Sequence, residues 1–170
     1  MKKVLFVLVL MIVGCYFLDD NARSNVYLKK GNKHVGQVLF KDTPQGLLVE
    51  VDFKNLPAGE HGFHIHENPS CEDGLDKNGI LQTALKAGNH YDPHQTGKHL
   101  GPNGKGHKGD LPFLKTDSKG ETKTSFYVPN LTVKEIRERS VIVHEGGDNY
   151  KDEPAALGGG GKRIACGIIR

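Results

Sequence analysis

The chain has 170 residues, of which 25% are charged and 36% hydrophobic, the balance of an ordinary soluble globule with room for one sizeable core. Its formal net charge is +3, but Lys2 and Lys3 sit in an N-terminal leader. Removing them takes Lys+Arg from 23 to 21 against 20 Asp+Glu, so the remaining chain is nearly neutral. Nucleic-acid binding through bulk charge is thereby excluded.

The leader, "MKKVLFVLVLMIVGC", is a charged start followed by an apolar run too short for a comfortable membrane span. It carries no A-x-A cleavage site, and "IVGC" resembles a bacterial lipobox. The expectation is a signal peptide over 1–14, lipid on Cys15, a polar tether over 15–24 and one domain over 25–170. Such a chain is exported to the cell envelope or periplasm and touches a membrane only through the lipid anchor. Ordinary cleavage nearby and an uncleaved anchor are the alternatives. With Cys15 so used, Cys71 and Cys166 remain as an even pair in an oxidising compartment. A bridge between them would remove about 4 to 5 kcal/mol of unfolded-state freedom in the chain-entropy model. Two buried free thiols are the other reading.

Period-two alternation begins at "NVYLKK" and continues through "HVGQVLFK" and "LLVEVDFK". In the last, Val49, Val51 and Phe53 share one face, and Glu50, Asp52 and Lys54 the other, the pattern of a half-buried antiparallel strand. "TPQG" (43–46) and "LPAGEHG" (56–62) read as turns between strands. Further strands are expected at 62–67, 124–128, 140–144 and 163–169, with one brief helix in "TVKEIRERS". Many short strands separated by turns predict an all-β sandwich or barrel. Two glycine-rich polar segments, 67–110 and 145–162, interrupt the rhythm. A sandwich does not require them, so they are the places to look for function.

In "GFHIHE" a strand puts His64 and His66 on one face and Phe63 and Ile65 on the other, so two imidazoles can reach one metal. The segment 88–110 adds His90, His94, His99, His107 and Asp110, and "VIVHEGGD" adds His144 and Asp148. These are more candidate ligands than one ion needs. Imidazoles from strand ends suit a redox metal such as copper, whereas a loop set closed by an aspartate suits a structural zinc. Coordination also gives the loop a reason to be ordered, because it has little apolar surface to bury.

Four ordered segments, "HGFHIHENPSC" (61–71), "GNHYDPHQTGKHLGPNGKGHKGDLP" (88–112), "VIVHEGGDNY" (141–150) and "LGGGGKRIACGII" (157–169), closely resemble copper/zinc superoxide dismutases of the exported bacterial kind. The resemblance implies a flattened eight-stranded Greek-key β-barrel with two long functional loops. It implies copper on His64, His66, His90 and His144, and zinc on His90, His99, His107 and Asp110, with His90 bridging the two ions. Asp148 would orient His64 and His99, Arg163 would stand at the mouth of the copper channel, and Cys71–Cys166 would be the family's intrachain bridge. His34, His61 and His94 match no ligand position and are read as structural or surface groups.

The activity implied is dismutation, in which two superoxide anions and two protons give dioxygen and hydrogen peroxide. In the family mechanism His90 releases copper on reduction, takes a proton and returns it in the second half-cycle. Superoxide is the expected partner, and a homodimer and a monomer are both compatible with the sequence. The alternative functions are a non-catalytic copper/zinc-binding protein of the same fold and a zinc hydrolase. The first would be expected to lose copper histidines or the arginine, and the second needs an open zinc position.

Overall fold

The computed structural model describes residues 20–170, so the leader and Cys15 lie outside the described residues. Eleven strands follow in chain order: β1 Asn21–Leu28, β2 His34–Thr43, β3 Gly46–Phe53, β4 Gly59–His61, β5 Phe63–His66, β6 Gly74–Leu75, β7 Leu81–Gln82, β8 Leu114–Thr116, β9 Thr122–Val128, β10 Ser140–His144 and β11 Arg163–Ile168. The brief helix is a single turn, α1, over Val133–Ile136, and short 3-10 turns occupy Leu85–Ala87 and Leu157–Gly159.

Alternation drives the architecture. In β3, Leu47, Val49, Val51 and Phe53 are buried while Glu50 and Asp52 face solvent. Its neighbours supply matching apolar faces, with Val38 opposite Val51 and Phe40 opposite Val49. Across the interior, Phe53 meets Phe63 edge to face at 6.4 Å. Each such ring contributes about 2 to 3 kcal/mol on burial. Seven strands form one antiparallel sheet in the order β5-β10-β11-β1-β2-β3-β9. β4 pairs with β8, which turns into β9, and β4 passes through Gly62 into β5. Counting β4 and β5 as one interrupted strand, eight strands curl into a flattened Greek-key barrel. β6 and β7 form a separate ribbon within the first long loop.

The register shifts between Val26 and Tyr27, opposite Gly36. Gly36 has φ +144°, and a Cβ there would lie 2.0 Å from the Asp52 carbonyl oxygen, so the bulge demands glycine.

Three details differ from the sequence expectation. β1 begins at Asn21, inside the stretch read as tether, with Ala22 opposite Phe40 and Ser24 opposite Val38, both buried. "NARS" has one small apolar side chain, too weak a signal for alternation to register. The turn reading of 56–62 misses β4, and β8 was not anticipated, because three residues cannot display a period.

The two long connections that interrupt the strand rhythm run between β5 and β8 and between β10 and β11, and both return to hydrogen-bond with the β4–β5 segment. The Cys71–Cys166 disulfide, with Cα atoms 5.7 Å apart, ties the first of them to β11.

Candidate metal centre

β5 is buried on both faces. Phe63 and Ile65 enter the barrel core, while His64 and His66 turn outward beneath the long loops. The ladder to β10 fixes their height, His64 opposite Ile142 and His66 opposite Ser140. His144 ends β10 at a register shift opposite Arg163. His90 arrives from the loop and meets His66 through an isolated antiparallel bridge. Its ring stacks on His64 at 4.0 Å between centroids and lies 4.9 Å from that of His66.

The ligating atoms of His64, His66, His90 and His144 all lie within 4.8 Å of one another, and those of His64, His90, His99 and Asp110 form a second such group. His107 joins the second side through Asp110, its Nδ1 being 3.4 Å from Oδ1. The same carboxylate lies 2.9 Å from His90 Nδ1 and 3.0 Å from His99 Nδ1. Four ligands about 2.0 Å from a tetrahedral zinc stand about 3.3 Å apart, so these spacings fit a zinc ligand shell.

Polar satisfaction gives an independent test of fit. Among the described residues, ten buried side-chain polar atoms lack a hydrogen-bond partner, and seven of them are His64 Nδ1, His66 Nε2, His90 Nε2, His144 Nε2, His99 Nδ1, His107 Nδ1 and Asp110 Oδ2. Buried polar atoms are rarely orphaned, and here they converge from strands and loop on two adjacent points. In four of these rings the opposite nitrogen is engaged. His64 Nε2 and His99 Nε2 each lie 2.7 Å from an Asp148 oxygen. His66 Nδ1 donates to the Gly88 carbonyl at 3.0 Å and His144 Nδ1 to that of Gly161 at 3.2 Å. Donation through the far nitrogen leaves a lone pair on the near one, the tautomer a metal requires.

Electrostatics separates the two sides. Burial pushes His64, His66 and His144 below the ordinary histidine value, and burial with the neighbouring His64 pushes His90 down to about 4. These rings are therefore neutral and free to bind an ion. Burial also opposes charge on His99, but the adjacent Asp110 and Asp148 carboxylates outweigh it and raise the ring to about 9. Burial is likewise outweighed at both carboxylates. The surrounding imidazoles hold Asp110 well below the usual range, and His64 and His99 do the same for Asp148.

Asp148 is roofed by Gly158, whose φ is +71° and whose Cβ would lie 2.0 Å from the Asp148 Oδ1. The glycine run of the second loop thus allows the carboxylate to be covered. Arg163, half-buried at the start of β11, donates through Nη1 to the Ala84 carbonyl and through Nη2 to the Gly88 carbonyl, both at 2.7 Å. Since Gly88 also accepts from His66, the guanidinium borders the His66 side of the cluster.

Every described residue expected at the site is thus brought together. The remaining histidines are not. His61 is buried, its ring nitrogens 2.8 Å from the His144 and Pro57 carbonyls. His34 is exposed beside Tyr27, and His94 is exposed in the loop outside both groups. One supporting residue escaped sequence reasoning: Asp152 accepts the His99 backbone N–H at 2.9 Å. No local signal marks a partner 53 positions away.

Comparison with known proteins agrees with this geometry. The sequence model of the copper/zinc superoxide dismutase family matches residues 34–169. Superoxide dismutase [Cu-Zn] of Brucella melitensis is 45% identical over 99% of both chains, and that of Escherichia coli K12 is 40% identical over the whole of both. The solved Cu/Zn superoxide dismutase from Brucella abortus aligns with a TM-score of 0.84 at 46% identity, covering 88% of this chain and 99% of that one. Matched along nearly its full length by sequence and by fold, the chain belongs to the copper/zinc superoxide dismutase family.

Proposed function

We propose that this chain converts superoxide to dioxygen and hydrogen peroxide at a copper ion held by His64, His66, His90 and His144, beside a zinc ion held by His90, His99, His107 and Asp110. One observation carries the assignment of residues: seven orphaned buried ligand atoms converge on two adjacent points, and the His90 ring faces both. Bound copper supplies reversible one-electron chemistry, and bound zinc supplies a fixed charge that does not change oxidation state.

The chain's own groups do the rest. His90 directs Nδ1 at Asp110 and leaves Nε2 without a hydrogen-bond partner, so the ring can hold a proton at Nε2 in one half of the cycle and release it in the other. Asp148 grips His64 and His99 together and fixes the orientation of one ring on each side. Arg163 presents a permanently charged donor pair to a small anion at the channel mouth. With the chain nearly neutral overall, a local field rather than net charge guides superoxide inward. A non-catalytic metal carrier has no use for that arginine.

The lipobox-like "IVGC" supports the further reading that the leader is removed, Cys15 is acylated and the enzyme protects the cell envelope from superoxide arising outside the cytoplasm. A Cys15→Ser chain should lose membrane partitioning and the mass of the lipid; unchanged partitioning and mass would end that reading. For the activity, metal analysis of the purified protein should give one copper and one zinc per chain, with rapid superoxide consumption. A single metal, or two metals without turnover, would overturn the assignment.

A further inference from the structure

Arg163 is held by more than the two carbonyls it touches. Ala84, whose oxygen accepts from Nη1, is fully buried and stands at φ 49°, ψ 29°, the left-handed region that side chains with a Cβ avoid. Its own N–H donates to Asp73 Oδ1 at 2.8 Å, and the same oxygen pairs with Lys29 Nζ at 2.8 Å. Lys29 also donates to the Cys71 carbonyl at 2.6 Å, and its backbone N–H to the Ile164 carbonyl at 2.8 Å, one residue from Arg163. Thr83 Oγ1 donates to the Arg163 carbonyl at 2.9 Å. Ala84 is therefore held through both of its flanking peptides, its N–H by a carboxylate and its oxygen by the guanidinium and by the Ala87 N–H at 3.1 Å, which closes the short turn.

Ala84 thus moves with the short turn Leu85–Ala87, and the other polar restraints on that turn act beyond its entry, where the Asn68 N–H donates to the Ala87 carbonyl at 2.9 Å and the Lys86 N–H to the Glu72 carbonyl at 3.1 Å. The disulfide fixes Cys71, but the chain then passes through the β6–β7 ribbon, whose Leu75, Ile80 and Leu81 are exposed, before it reaches Ala84. Ala84 and Ala87 pack with Ile142 and Cys166, which sets their depth, and the Asp73 carboxylate holds the entry of the turn at the Ala84 N–H.

We propose that Lys29 and Asp73 act as a positioning pair for Arg163, anchoring the entry of the Ala84–Ala87 turn so that the Ala84 carbonyl holds the guanidinium at the mouth of the copper side. The inference rests on the reading of Arg163 as the group that receives superoxide. The Lys29 ammonium, with the Ala84 N–H, holds the Asp73 carboxyl below the ordinary carboxylate range, so the pair stays charged at neutral pH. Without it the strained entry at Ala84 can relax, and the turn can shift its carbonyl away from the guanidinium. Arg163 then keeps only the Gly88 contact and can turn out of the channel.

The experiment compares Asp73→Ala, Lys29→Met, Lys29→Arg and Arg163→Ala in the copper- and zinc-loaded enzyme. Asp73→Ala and Lys29→Met should lower the second-order rate constant about fivefold and flatten its salt dependence toward that of Arg163→Ala. Metal content should be unchanged, and Lys29→Arg should restore both rate and slope. A separate readout is solvent exchange of the Arg163 guanidinium protons, followed by NMR in the reduced, diamagnetic enzyme, which should accelerate in Asp73→Ala. Wild-type slope and wild-type exchange in Asp73→Ala, or a Lys29→Arg enzyme no better than Lys29→Met, would overturn the pair. A wild-type rate and slope in Arg163→Ala would instead overturn the steering role of the arginine, and the exchange measurement would still decide whether the pair holds it.

Discussion

His64, His66 and His144 reach the cluster on paired strands, whereas His99, His107 and Asp110 reach it on a loop. The strand-borne rings inherit their positions from the β5–β10–β11 ladder and from Phe63, Ile65 and Val143 packed beneath them in the core. Of the loop-borne groups Asp110 alone is tied to β5, by an isolated bridge opposite His64; His99 and His107 have no such ladder, and what fixes them is polar: Asp148 on the His99 ring, Asp152 on its backbone, and the shared Asp110 carboxylate. The copper side is thus preorganised by the fold. The zinc side is organised largely by what its members bind, and zinc is expected to be as much a fold component as a cofactor there.

Removing the one ring common to both sides breaks this comparison most sharply. A His90→Ala enzyme should lose about 10²-fold or more in turnover, because the ring that holds the proton is gone. Its barrel should still fold, since His90 belongs to no strand of the sheet. Amide exchange should stay slow in β3 and β10 and become fast over 97–110. Slow exchange in both regions would mean that the loop is fixed without its shared ligand.

Asp148→Asn is the next largest test. An asparagine offers one acceptor where the carboxylate offers two, yet both His64 Nε2 and His99 Nε2 approach at 2.7 Å. Zinc affinity should fall about 10- to 100-fold, the usual cost of losing such a hydrogen-bond partner. Copper affinity should fall less, because the ladder continues to hold His64. Equal losses for the two metals would abolish the distinction between strand side and loop side.

The same contrast explains what could be read from the sequence. Alternation in "LLVEVDFK" and the H-x-H of β5 are local, so Val49, Val51 and Phe53, and the shared face of His64 and His66, follow from the period of a strand. The loop ligands were legible only as a surplus of histidines until four ordered motifs supplied the resemblance. The start of β1 stayed hidden because Ala22 is its only early apolar residue. Asp152 under His99, and Lys29 with Asp73 behind Arg163, stayed hidden for a different reason. Each is an ordinary charged residue whose meaning lies in a partner far along the chain, and that proximity exists only after folding.

The smallest effect concerns the metal-free protein, where the two sides should respond to pH in opposite directions. On the strand side, burial lowers His64, His66 and His144, and His90 falls to about 4. Below the unfolded value of 6.5 the unfolded chain takes up protons that these native rings refuse, so stability falls with acidification, at up to about 1.4 kcal/mol per pH unit for each group. His99, between two carboxylates, behaves oppositely. Raised to about 9, it contributes stability that is fully present below 6.5 and is lost as pH rises through 9. Asp110 and Asp148 have depressed values, so their contribution is present above 3.8 and is lost only in stronger acid. Denaturant midpoints of the metal-free protein should therefore peak near pH 6.5 and decline on both sides. In the loaded protein zinc displaces the His99 proton, so the alkaline decline should vanish. A metal-free midpoint that climbs steadily from about pH 5 to pH 9 would mean that His99 carries no native proton, and that Asp110 and Asp148 do not hold the loop side together in the way proposed.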